Sequence, residues 1–174
     1  ICGNSLIDEF EGIKLINSSE LFGNPNKEKQ LYIGQSQYEG LLNQLFEAQN
    51  MLFWESSHEG KVDLKARIQS LIDTIIMFNL QNKASPETIE KYHEVKFAAS
   101  LPFCLWELEF ARVFKEKGGF DVVIGNPPYG AAFSEIDKKI LKKRFSYSIR
   151  GKFESYRIFM ELSDYISNPQ ATLS

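Results

Sequence analysis

A β-branched run that ends in two prolines constrains this chain more than any other feature. Phe120-Asp121-Val122-Val123-Ile124-Gly125 passes directly into Asn126-Pro127-Pro128-Tyr129-Gly130. After the Gly118-Gly119 turn, the run predicts a buried strand over 120–125. The strand cannot continue into 127–128, because prolines donate no ladder hydrogen bond. Helical stretches at about 134–145 and 153–167 follow. Strand, loop and helix in that order is the α/β pattern, in which ligands sit beyond the carboxyl ends of strands. The loop at 126–130 occupies such a place.

Helical periodicity dominates the middle of the chain. Tyr38, Leu41, Leu42, Leu45, Leu52 and Phe53 make one apolar stripe, and Leu64, Ile68, Leu71, Ile72, Ile75 and Phe78 a second. Ser56-Ser57-His58-Glu59-Gly60 interrupts them, which predicts two long helices in an αα-hairpin. A third helix is predicted from Ser85, with Pro86 at its first position, to a stop before Leu101-Pro102. Residues 17–35, rich in Asn, Ser, Gly and Lys, read as a loop, and 1–7 as the frayed end of a strand.

Charge is distributed unevenly. Lys138 to Arg157 holds eight basic residues against one acid, a local +7, whereas the whole chain of 174 residues carries −3. Such a cluster in an otherwise acidic chain suggests a polyanion contact; a solvated helix face is the plain alternative. Two cysteines are too few for a disulfide framework and suit a reducing compartment. No run approaches the ~20 apolar residues that span a bilayer, and Ile1-Cys2-Gly3-Asn4 has no signal-peptide character. A cytoplasmic protein without a membrane partner is the expectation. His58 and His93 are isolated, so no metal site is predicted. Glu107 and Glu109 would point apart on a helix, which argues against a paired-carboxylate site. Cys104 reads as core.

The residues at 126–129 have a specific chemical use. Two successive prolines stiffen the backbone and expose carbonyls without competing N–H donors. An Asn side-chain carbonyl and a proline carbonyl can together accept hydrogen bonds from an exocyclic amino group. That grip draws the nitrogen lone pair out of conjugation and aims it at an electrophile. Tyr129 offers a flat face for an extruded base, a contact worth about 1–3 kcal/mol. At average residue usage this tetrapeptide arises by chance in on the order of one such chain per thousand, so a merely rigid loop is the weaker reading.

Phe120 to Tyr129 closely resembles the catalytic motif of DNA adenine-N6 methyltransferases. Trp106-Glu107-Leu108-Glu109-Phe110 resembles the segment before that motif in the large methylase–restriction fusions of the type IIG, Eco57I-like family. Cys2-Gly3-Asn4-Ser5-Leu6-Ile7 is similar to their GNSL element. Gly151-Lys152-Phe153-Glu154-Ser155-Tyr156 resembles their KxDLY segment, with Glu-Ser in place of Asp-Leu.

The resemblance implies an α/β, helix-rich chain: a partial Rossmann-like methyltransferase fragment with a long helical insertion. Residues 1–16 would be strand and loop near the cofactor pocket, 17–100 the insertion, and 101–174 the catalytic-loop segment, all within one incomplete domain. It implies methyl transfer from S-adenosylmethionine to a flipped-out adenine of double-stranded DNA, in a restriction-modification or phage-defence protein. Asn126 and the Pro127 carbonyl would bind the amino group, with Pro128 stiffening the loop and Tyr129 stacking on the base. Asn4 would lie near the cofactor's adenine. Lys142, Lys143, Arg144, Arg150 and Lys152 would track phosphates. The family's glycine-rich cofactor loop is absent from this sequence, so the chain reads as an internal piece of a larger enzyme, inactive in isolation and prone to self-association through open sheet edges. Two alternatives remain at this point: a glutamine N5-methyltransferase of release factors, which shares the NPPY loop, and a non-catalytic helical interaction module.

Overall fold

A computed structural model describes residues 3–16, 33–128, 133–149 and 153–174. The predicted αα-hairpin is present as α1 (Ile33–Trp54) and α2 (His58–Lys83). Its facing stripes bury Tyr38, Leu42, Leu45 and Ala48 against Ile68, Leu71, Ile72, Ile75 and Ile76. The turn is shorter than the sequence suggests. Ser57 caps α2 by accepting the Gly60 N–H at 3.1 Å, so His58 and Gly60 are already helical. Phe53 departs from its predicted stripe: it is 67% exposed at the end of α1, with the Arg112 guanidinium over its ring. Helix α3 (Pro86–Val95) starts as expected, with Ser85 accepting the Thr88 N–H at 3.3 Å. Of the predicted loop at 17–35, residues 17–32 lie outside the described residues, and 33–35 open α1.

The chain begins differently from the predicted strand. Gly3 makes a single parallel bridge to Leu101, and a small antiparallel hairpin follows, β1 (Glu9–Phe10) with β2 (Ile13–Lys14). Its two-residue turn puts Glu11 and Gly12 at φ 50° and 77°. Both values lie in the left-handed region, which suits the twist of a tight hairpin.

Two short helices, α4 (Trp106–Glu109) and α5 (Ala111–Lys117), lead into β3 (Phe120–Val123). Gln49 of α1 holds their junction: its Nε2 donates to the Leu108 and Glu109 carbonyls at 2.8 and 3.1 Å, while its Oε1 accepts the Arg112 N–H at 3.1 Å. One side chain thus satisfies three backbone groups that a broken helix leaves open. After β3 come α6 (Glu135–Arg144), α7 (Ser155–Ile166) and β4 (Ser167–Leu173), which lies parallel to β3. The parallel pairing makes the two helices a crossover connection. The ladder runs on to the loop, with Ser174 N–H donating to the Val123 carbonyl and Gly125 N–H to the Ser174 carbonyl.

The strand over 120–125 is shorter and less buried than its composition implies. Val122 is 56% exposed and Ile124 79%. Among the described residues β3 has one strand neighbour, β4. A β-branched run expresses a tendency to be covered, but the cover must come from elsewhere in the chain. Its first residue is well anchored: the Phe120 ring meets Phe110, Phe114 and Trp106 edge-on at centroid distances of 5.0, 5.8 and 6.2 Å. The architecture is therefore α/β and helix-rich, with two small sheets among the described residues.

Candidate methyl-acceptor site

Asn126, Pro127 and Pro128 follow the carboxyl end of β3, where the last ladder bonds fix Gly125. Asn126 and Pro128 are exposed and Pro127 is half-buried. The Asn126 side chain makes no hydrogen bond to any other described residue. The Pro128 carbonyl accepts a hydrogen bond from the Ser155 hydroxyl at 2.5 Å. Beyond the loop, the Phe133 ring meets Phe153 edge-on at 5.4 Å. The start of α7 therefore touches the segment both before and after residues 129–132. Tyr129, Arg150 and Lys152 lie outside the described residues.

Trp106 connects this strand to the beginning of the chain. Its Nε1–H donates to the Ser5 carbonyl at 3.0 Å, while its ring packs on Phe120. The GNSL-like segment and the strand leading to Asn126 thus share one anchor. Within that segment, Asn4 Oδ1 accepts the Leu6 N–H at 3.2 Å in an Asx turn, so the donor of its side chain is the amide nitrogen. Gly3 runs against Phe103 so closely that a Cβ would lie 2.3 Å from its carbonyl oxygen. A half-exposed amide donor on a backbone packed this tightly fits a hydrogen bond to a purine edge.

The basic residues divide by environment. Lys142 and Lys143, in the last turn of α6, are exposed. Arg144 turns inward, donating from Nη1 to the Leu6 carbonyl at 2.9 Å and pairing with Asp8 at 3.3 Å. Its guanidinium also lies over the Tyr165 ring, whose hydroxyl donates to Glu107 at 2.7 Å. Arg144 thus ties α6 to the GNSL-like segment. Nothing in local sequence distinguishes it from its neighbours, because its partners are about 140 residues away. The cations also suit the negative end of α6, whose first turn carries Glu135 and Asp137, the latter in a capping box with Ser134.

Cys104 is buried, and burial followed by the charge of Glu109 pushes its thiol up to about 12. A thiol so placed is no nucleophile at neutral pH. Glu109 is itself pushed above the usual carboxylate range by burial. Among the described residues no group of His, Cys, Asp and Glu could hold a metal ion, and no helix is long and apolar enough to cross a membrane.

The chain is 39% identical over 64 residues to a Methanocaldococcus jannaschii protein named as a type II restriction enzyme and methyltransferase. That stretch is 37% of this chain and 5% of the relative, so the shared part is a small portion of a much longer protein. No solved structure matches. The family model of the Eco57I restriction-modification methylases matches residues 41–174, from within α1 through β4, and the chain belongs to that family.

Proposed function

We propose that this chain supplies the methyl-acceptor loop of a DNA adenine-N6 methyltransferase, working as part of a longer restriction-modification enzyme with a Rossmann-like sheet around β3 and β4. The observation that carries the reading is the exposed Asn126-Pro127-Pro128 loop at the carboxyl end of a parallel strand. Asn126 Oδ1 and the Pro127 carbonyl accept the two hydrogens of the adenine amino group. This grip localises the nitrogen lone pair and orients it, so the chain contributes position and polarity rather than a strong base. Tyr129 stacks on the extruded base. S-adenosylmethionine, when bound, supplies a methyl group on a positively charged sulfur. Asn4 lies toward its adenine and donates from the side-chain amide.

Attack on a ring carbon of cytosine would need an accessible thiolate; among the described residues the one cysteine, Cys104, is buried with its thiol held protonated. Amino-group methylation needs no covalent intermediate on the protein.

Lys142 and Lys143, with Arg150 and Lys152 in the same segment, contact phosphates. Arg144 shares the segment, but its guanidinium serves Leu6 and Asp8. Replacing Lys142 and Lys143 with Ala is expected to weaken DNA binding about equally for all sequences and to reduce the log–log salt slope by roughly 0.9 per lost contact. Titrations at several salt concentrations check this; an unchanged slope makes the pair an ordinary solvated face. Tritiated S-adenosylmethionine offered with duplex DNA and a release-factor protein together tests the substrate class. Label is expected in the DNA, and label confined to the protein would favour glutamine methylation instead.

A further inference from the structure

Ser155 is one of two buried polar residues among those described, yet its hydroxyl does nothing for its own helix. It occupies the first position of α7, whose N-cap Glu154 makes no side-chain capping bond. A serine that caps a helix stands one position earlier, at the N-cap, where it accepts a backbone N–H of the first turn. The Ser155 hydroxyl instead donates to the Pro128 carbonyl, 27 residues earlier, at 2.5 Å. The same helix start holds Phe133 through Phe153. Ser155 also stands where the resembling segment has Leu, so this contact belongs to a position at which the chain departs from that pattern.

We infer that Ser155 is a positioning residue for methyl transfer, holding the Asn126-Pro127-Pro128 loop through the Pro128 carbonyl. The inference rests on the assignment of this loop as the methyl-acceptor site. Two carbonyls follow Asn126 in a stretch without N–H donors. The Pro128 carbonyl is held toward Ser155 at the start of α7, and the Pro127 oxygen is the one that pairs with Asn126 Oδ1 on an amino group. The hydroxyl therefore fixes the loop's orientation through its last carbonyl.

The test uses the full-length enzyme carrying this chain, duplex DNA, and the variants Ser155→Ala, Ser155→Val and Ser155→Thr. Thr and Val differ only in the hydroxyl, so steric effects on folding cancel between them. Val and Ala are expected to slow single-turnover methyl transfer about tenfold, with unchanged DNA affinity, while Thr stays within about twofold of wild type. In an Asn126→Ala background, Ser155→Ala is expected to add much less than its own factor, because both act on one loop. A role in fold stability alone would multiply the two losses, which overturns the inference, as does equal activity of Thr and Val. Hydrogen exchange of the Gly125 and Asn126 amides supplies a readout independent of activity. It is expected to be faster in the Val variant than in the Thr variant. If wild type transfers no methyl to DNA, the functional reading fails while this exchange difference still decides whether Ser155 holds the loop. Equal exchange in Thr and Val overturns it.

Discussion

Asn126→Ala is expected to slow single-turnover methyl transfer by about 10²–10³-fold, or about 2.7–4 kcal/mol of barrier, as loss of other positioned polar groups does. The substitution removes one acceptor and leaves both prolines and the β3–β4 ladder in place. Asn126 is exposed and bonds to no other described residue, so the fold should be indifferent to the change. Melting temperature is therefore expected to stay near wild type while the chemical step collapses. Tyr129→Phe should be mild and Tyr129→Ala should weaken capture of the base, because stacking needs the ring and not the hydroxyl. Rapid-quench measurements at saturating DNA separate the two effects.

The second large effect is structural and lies at the other end of the same strand. Gly119 has φ +152°, and a Cβ on it would sit 2.5 Å from the Ser167 carbonyl carbon and 2.6 Å from the Ile166 oxygen. Both obstacles are backbone where α7 passes into β4, so no side chain can rotate away. Gly119→Ala is expected to destabilise the chain by about 3 kcal/mol or more and to separate β3 from β4. Gly125→Ala is the control: no described residue lies within 4 Å of its Cβ position, so a change of no more than about 0.5 kcal/mol is expected. Urea unfolding of the two variants in parallel checks the contrast.

Local signals in the sequence reached the helices well. The paired stripes of α1 and α2, the Ser85-Pro86 start of α3 and the extents of α6 and α7 follow from periodicity and capping, which depend on near neighbours in sequence. Strand β4 is different. Ser167-Asn168-Pro169-Gln170-Ala171-Thr172-Leu173 is polar and contains a proline, and it is a strand because β3 pairs with it across a crossover. The hairpin at 9–14 also left a weak signal, since Glu-Gly is not the usual dipeptide for a turn with two positive φ values. Exposure of Val122 and Ile124 shows the converse: an apolar run states a preference that distant elements must satisfy.

The candidate site divides the same way. The loop proposed to react stood out in the sequence by residue type and order, and it lies beyond the carboxyl end of β3 as the strand–loop reading expects. Its supports did not stand out. Gln49 reaches α4 and α5, Arg144 reaches Leu6, Trp106 reaches Ser5, and Ser155 reaches Pro128, each through a hydrogen bond between residues 27 to 138 positions apart. A basic run likewise cannot reveal which member turns inward; the partners Asp8 and Leu6 decide that for Arg144.

The identity of the methylated nucleoside tests the adenine assignment most directly. The full-length enzyme carrying this chain is incubated with duplex DNA and isotopically labelled S-adenosylmethionine, the DNA is digested, and the nucleosides are resolved by mass spectrometry. The label is predicted on the exocyclic nitrogen of deoxyadenosine, and to fall away in the Asn126→Ala enzyme. Label on N4 or C5 of deoxycytidine, or adenine methylation that survives Asn126→Ala at the wild-type single-turnover rate, would contradict it.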